Sequence, residues 1–375
     1  MDMDEIRKLF PVTRNYNFLN HAAVAPLSKP AAEAVRKYVR EGLDEAGLHA
    51  GFYQHAEHVR QVAAEFINAG PDEVTFVKNT TEGLGWVANG LDWTAGDNVV
   101  TTRVEFPANM YPWMGLEARG VQLKTVGEED GRIPLERIVG AIDGRTKVVT
   151  ISAVQYASGF RTDLAELGRI CKEKGVLFCV DAIQMLGMLP LDVRAMQIDF
   201  LSADGHKWLC APEGCGIFYC NRSLLARLQP VIAGWMCMKD ARDYGNYLFE
   251  YVNTACRFDI GSYNIAGIYG LGASIEMFRD IGMDKVGAQV LMLTDRLVVG
   301  LSEKGYRVVS SRAPGEASGI VTFTSDRHDL AALRGQLESE HRVVTALREG
   351  RLRVSPHFYN TTGEIDQLVS LLPGH

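Results

Sequence analysis

Apolar residues along this chain fall into short runs separated by amphipathic stretches, and the alternation is regular between residues 74 and 220. The runs at 74–77, 98–102, 121–126, 147–154, 176–180, 198–202 and 216–219 have the length of buried strands. Between them, residues 83–91, 108–120, 135–142 and 164–174 carry apolar positions at helical spacing. This order predicts an α/β fold with a mostly parallel seven-stranded sheet sandwiched by helices. Upstream, residues 1–19 read as a short arm. Pro26-Leu27-Ser28 opens a helix over 30–43, and residues 51–69 continue helical, with Val59, Val62, Ala63 and Phe66 on one face. Beyond Phe258 the pattern changes to long helices over 265–279 and 283–304. A strand (320–324), a helix (329–340), a strand (352–355) and a last helix (362–372) follow. The chain thus reads as a large domain, residues 21–280, and a smaller α+β domain, residues 1–20 and 281–375.

Composition narrows the function. A net charge of −7 argues against a nucleic-acid binder, which shows a basic face. No apolar run approaches the roughly 20 residues that span a bilayer. The charged start, residues 1–8, has no apolar segment behind it, so no secretory leader is expected. Seven scattered cysteines read as reduced thiols in a cytoplasmic protein. No Cys/His spacing resembles a zinc site, and His55 and His58 read as a solvated helix face.

The polar positions that interrupt the apolar runs carry the candidate chemistry. Lys207 lies in Ser202-Ala203-Asp204-Gly205-His206-Lys207-Trp208, a tight connection between two predicted buried strands. A lysine held there can lose its proton and attack a carbonyl. The cofactor for which this is routine is pyridoxal 5′-phosphate (PLP), which also needs an acidic partner, a phosphate cradle and a stacking face. Asp181 ends the run Val176-Leu177-Phe178-Cys179-Val180, where a carboxylate can keep a pyridine nitrogen protonated. Gln184, three residues on, can reach a ring hydroxyl. Asn79-Thr80-Thr81-Glu82-Gly83 sits where a strand turns into a helix, an anion site whose hydroxyls belong to Thr80 and Thr81. Phe106 offers a stacking face. Arg353, among Leu352, Val354 and Ser355, can fork onto a carboxylate.

Taken together and in this order, these segments resemble the class V aminotransferase family of PLP fold-type I enzymes. Asn20-His21-Ala22-Ala23, Glu105-Phe106-Pro107-Ala108-Asn109, Val180-Asp181-Ala182-Ile183-Gln184, Gly205-His206-Lys207 and Arg353-Val354-Ser355 carry the likeness over nearly the whole chain. The resemblance implies Lys207 as the Schiff-base lysine, Asp181 as the pyridine partner and Gln184 on the ring hydroxyl. It puts Thr80, Thr81 and His206 on the phosphate, and Asn20 and His49 at the substrate entrance. Arg257-Phe258-Asp259-Ile260-Gly261-Ser262 looks like the segment whose hydroxyl, here Ser262, reaches the partner subunit's phosphate, which implies a homodimer sharing its cofactor sites.

Three departures from the desulfurases of that family set this chain apart. Phe106 replaces their stacking histidine, and Asp204 replaces a phosphate-binding serine. Tyr156 stands where they have an asparagine near the ring oxygen. These variants look most like the isopenicillin N epimerase-like branch. A persulfide-forming desulfurase also needs a nucleophilic cysteine shortly before its carboxylate-binding arginine, and residues 340–352 contain none. The expectation is a PLP-dependent enzyme that removes the Cα proton of an α-amino acid, leading to transamination or to β-elimination of the cysteine or selenocysteine lyase type. Epimerisation, and a non-catalytic binding protein of the same fold, stay open at this point.

Overall fold

The computed structural model of the chain describes residues 2–48 and 51–374. Seven strands build the central sheet: β1 (Val74–Val77), β2 (Asn98–Thr102), β3 (Gln122–Val126), β4 (Thr146–Ser152), β5 (Leu177–Asp181), β6 (Phe200–Asp204) and β7 (Gly216–Cys220). Their spatial order is β1-β7-β6-β5-β4-β2-β3. Every neighbouring pair is parallel except the two made by β7. The sequence reason shows in β5, apolar from Leu177 to Val180; β5 and β6 are both buried along their whole length, as befits strands covered on both faces. Alternate residues serve opposite faces: Phe178, Val180 and Leu201 join one core cluster, Cys179 and Phe200 the other.

Helices α1 (Lys29–Glu45), α2 (Phe52–Phe66), α3 (Thr80–Gly90), α4 (Leu164–Glu173), α5 (Ile265–Ile281) and α6 (Met283–Glu303) follow the predicted order. A second, antiparallel sheet holds β8 (Arg307–Val308), β9 (Val321–Thr324), β10 (Ala346–Arg348) and β11 (Arg351–Val354), in the order β10-β11-β9-β8. With α6, α7 (Leu330–His341) and α8 (Thr362–Leu371) it encloses a separate core of Leu297, Phe323, Leu352 and Leu368. The N-terminal arm docks there, since Asn17 and Phe18 pair in parallel with Val343 and Val344. No helix of the described residues is long and apolar enough to cross a membrane.

Three expectations shift. The strand expected at 198–202 lies at Phe200–Asp204, because Asp204 still pairs with Gly216 in the ladder. The helix expected over 108–120 breaks into short turns, Pro107–Asn109, Tyr111–Met114 and Gly115–Arg119. Pro107 and Pro112 supply no backbone donor there, which prevents a continuous helix. Helix α3 begins at Thr80 rather than Gly83, because the Asn79 side chain caps it by accepting from Glu82 N–H at 2.9 Å.

Candidate functional site

Strands β4 and β5 end together at Ser152 and Asp181, in register with Ser202 of β6, which runs two residues further. Ligand crevices form at such carboxyl ends. Asp181, the last residue of β5, is 2% exposed. Its Oδ1 accepts from Ile183 N–H at 3.0 Å, which leaves Oδ2 free. Burial, reinforced by the nearby charge of Glu105, raises its proton affinity above the usual carboxylate range, against the pull of Lys207.

Lys207 follows β6 in a turn closed by Gly205 N–H to Cys215 O (3.0 Å) and Cys210 N–H to Lys207 O (2.9 Å). Gly187 makes room behind it: φ there is +92°, and a Cβ would stand 2.5 Å from Trp208 O. Trp208 is locked in turn. Its Nε1–H donates to Gln184 Oε1 at 2.8 Å, and its carbonyl accepts from His357 Nε2–H at 2.8 Å. Lys207 is left 9% exposed, with its Nζ 5.4 Å from the Phe106 ring centroid. Burial lowers its pKa from 10.5, and Arg353 adds to the drop. Burial thus drives Lys207 toward its neutral form, the condition for an amine nucleophile, while the raised proton affinity of Asp181 suits a carboxylate that shares a proton with a basic partner.

Helix α3 brings its start against β6. Thr80 Oγ1 accepts from Asp204 N–H at 3.1 Å, so its own hydroxyl hydrogen remains to be donated. Ser202 Oγ donates to Thr80 O at 2.9 Å, fixing helix to strand. Because Asn79 is the cap, the N–H groups and hydroxyls of Thr80 and exposed Thr81 remain for an anion. Asp204 Oδ1 accepts from Gly205 N–H at 2.7 Å, and Asp204 Oδ2 lies 2.9 Å from His206 Nδ1 without hydrogen-bond alignment.

Arg353 on β11 is 1% exposed, and only Nη1 is used, donating to Tyr156 O at 2.8 Å. Its Nε and Nη2 are buried without a partner among the described residues. Burial and the charge of Arg348 push its pKa down to about 9. A guanidinium in this state is short of an anion. The Tyr156 ring meets Phe106 edge-on at 5.2 Å, and its hydroxyl donates to Glu349 Oε1 at 2.8 Å. Asn20 bridges to Ser355, and its Oδ1 is a buried acceptor without a donor among the described residues.

Lys207, Asp181, Phe106, Tyr156 and Arg353 are therefore brought together, with Thr80 and Thr81 at the adjoining helix start. Gln184 is committed more deeply than the sequence suggests: its Nε2 also donates to Ala22 O at 2.9 Å. Ser262 is exposed and lines a separate cavity with Lys78, Glu82 and Tyr263. His49 lies outside the described residues. Sequence reasoning missed Glu105. This carboxylate is 5% exposed and accepts from Ser152 N–H at 2.8 Å, from Gln155 Nε2–H at 2.8 Å and from the Ser152 hydroxyl. Its signal was its place at the head of the segment Glu105-Phe106-Pro107-Ala108-Asn109, where it was given no role of its own.

Comparison with known proteins agrees with this geometry. Residues 17–368 match the family described as Aminotransferase class-V. A probable cysteine desulfurase of Methanothermobacter thermautotrophicus is 32% identical, the match covering 98% of this chain and 96% of the relative. The apo structure of a cysteine desulfurase from Thermococcus onnurineus NA1 superposes with a TM-score of 0.90 at 27% identity, covering 98% of this chain and 96% of the other. The cystine C-S lyase C-DES, solved with its product cysteine persulfide, shares the fold with a TM-score of 0.87 at 24% identity, over 96% of this chain and 98% of its own.

Proposed function

The chain belongs to the class-V aminotransferase family, and we propose that it removes the Cα proton of an α-amino acid and expels a substituent from the β-carbon. Its cofactor is pyridoxal 5′-phosphate. When bound, PLP supplies a carbonyl that condenses with amines and a pyridinium ring that accepts electrons. The residues present fit it. Lys207 would take the carbonyl, Asp181 Oδ2 the ring nitrogen and Phe106 one ring face. Thr80 and Thr81 would take the phosphate.

One observation carries the reading: the buried amine of Lys207 and the buried carboxylate of Asp181 share one site, beside an arginine with two unpaired N–H groups. Arg353 has the donors to hold the α-carboxylate, which orients the substrate. Lys207, kept near neutrality by burial, accepts the Cα proton as general base. Asp181 keeps the ring nitrogen protonated. Tyr156 and Phe106 wall the site against water.

Sulfur chemistry at this site takes a route that uses no protein thiol. Residues 346–354 form a tight hairpin where a nucleophilic cysteine would be needed, and six of the seven cysteines are buried. Burial pushes the Cys171 thiol up to about 12 and that of Cys256, half-buried, up to about 11, far from a reactive thiolate. Cysteine and water then give pyruvate, ammonia and sulfide in equal amounts. The test is incubation with cysteine, assay of pyruvate and sulfide, and mass spectrometry of the protein. A stoichiometric protein persulfide with alanine as co-product would refute the elimination route.

The proposal includes a second copy of the chain. Ser262 is exposed at a cavity of its own rather than turned to Lys207, which suits a residue that serves a neighbouring subunit. A monomer with full cofactor occupancy in sedimentation experiments would remove this part of the reading.

A further inference from the structure

The geometry points to the tip of the β10–β11 hairpin as the selector of the substrate side chain: Arg348 and Arg351 there accept an anionic group, a carboxylate or sulfinate carried beyond Cα. This inference rests on the proposed function above, since it concerns the amino acid that the same site takes.

The hairpin is closed by two residues only, Glu349 and Gly350, with φ of +51° and +74°. Two left-handed positions are what a type I′ turn requires, and such a turn fixes the register of its strands. Arg348 pairs with Arg351, and Ala346 with Arg353. Residues directly opposite on an antiparallel ladder project to the same face, and so do residues two apart on one strand. Arg348, Arg351 and Arg353 therefore share one face of the small sheet.

That face is turned to the site. Thr322, opposite Arg353 on β9, donates from its hydroxyl to Ala157 O at 2.6 Å, and Arg353 Nη1 donates to Tyr156 O at 2.8 Å. The tip is fastened over the site as well, since the Tyr156 hydroxyl donates to Glu349 Oε1 at 2.8 Å while its ring packs on Phe106. Arg348 is near enough for its charge to be felt by both Arg353 and Lys207.

Like charges on one ladder face repel, so this arrangement costs stability by itself. Arg348 and Arg351 are half-buried, and neither forms an ion pair among the described residues. The one side-chain bond Arg348 makes is to its neighbour's carbonyl, Leu347 O, at 2.8 Å. Two anions relieve the repulsion. The α-carboxylate goes to the deepest guanidinium, Arg353, and a second anionic group on the same substrate goes to the tip. The cofactor phosphate is not that second anion, because its donors sit apart on α3, at Thr80 and Thr81.

The test is the apparent affinity of the bound-cofactor enzyme for L-aspartate and L-cysteine sulfinate against L-cysteine and L-alanine, read by titration of the cofactor's visible absorbance, which needs no turnover. The acidic pair is expected to be favoured by at least about tenfold, the scale of one charge-assisted hydrogen bond. Arg348→Gln and Arg351→Gln should each cut that preference by roughly tenfold while the bound cofactor's spectrum and the Tm stay in place. Arg348→Glu should reverse it. Equal or better binding of the neutral amino acids, or a preference unchanged in all three variants, overturns the inference while leaving the proposed function standing. If no amino acid perturbs the bound cofactor in the native enzyme, the proposed function fails, and the inference with it.

Discussion

Ser152 and Asp181 stand directly opposite each other on the parallel ladder between β4 and β5, and the same Ser152 gives both its N–H and its hydroxyl to Glu105. A second buried carboxylate is thereby held beside the one that faces the ring nitrogen. Its negative charge adds to burial in raising the proton affinity of Asp181.

The first prediction follows from this pair. Glu105→Gln keeps a side chain of the same shape but removes the charge, so turnover should fall by roughly tenfold with the fold intact. Glu105→Leu also orphans three donors, from Ser152 and Gln155, and should destabilise the protein by about 1–3 kcal/mol for each donor left unsatisfied. Steady-state kinetics and urea unfolding separate the two effects. Asp181→Asn, which loses the charge at the ring nitrogen itself, should cost turnover more than Glu105→Gln does. Comparable activity in Asp181→Asn would remove that residue from its role.

Lys207 must be neutral to attack the cofactor carbonyl. Burial holds its pKa below the ordinary 10.5. The rate of covalent PLP uptake by the apoprotein should therefore rise about tenfold per pH unit and level off well below pH 10.5. Stopped-flow absorbance measures this directly. Lys207→Ala should show no uptake phase and no cofactor fixed by borohydride. A rate still climbing at pH 10 would contradict the lowered pKa.

Arg353 is a buried cation with two unused N–H groups. Replacing it with an apolar residue of similar length, Arg353→Met, should therefore leave stability unchanged or raise it, because an underpaired buried charge is removed. The same variant should raise KM for the amino acid by on the order of a hundredfold, since the α-carboxylate loses a charge-assisted contact. Thermal unfolding and steady-state kinetics are expected to move in opposite directions. Parallel losses would mean that Arg353 is structural.

The buried histidines behind the site set the response to acid. His357 donates from Nε2 to Trp208 O and accepts at Nδ1 from Phe358 N–H at 2.8 Å, so it is neutral, with a pKa lowered to about 4 by burial. His21, between Ser355 O (2.8 Å) and the Tyr359 hydroxyl (2.5 Å), is lowered in the same way. Below the ordinary value of 6.5 the unfolded chain binds protons that the folded chain refuses, so stability is present above 6.5 and is lost as pH falls toward 4. Urea unfolding at pH 7, 6 and 5 should show a slope of up to about 1.4 kcal/mol per pH unit for each histidine. His357→Gln should flatten that slope, and a stability independent of pH over this range would disprove the assignment.

The chain alone specified the seven central strands, most of their helices and most of the residues that the fold gathers beside Lys207. The reason is physical: strands buried on both faces must be apolar throughout, so Asp181 and Lys207 stand out against their surroundings. Where a strand ended was less legible, because the ladder carries Asp204 on to its partner Gly216 regardless of polarity. Tertiary structure alone decided the rest. Glu105 acquires its role only when β4 brings Ser152 to it and β5 brings Asp181 alongside. Nothing along the chain singles out Arg348 and Arg351, and only the hairpin register puts them on the face of Arg353. The first depends on pairing between segments distant in sequence and the second on where the hairpin docks, against Tyr156 and Ala157, and no local pattern of apolar and polar residues encodes either.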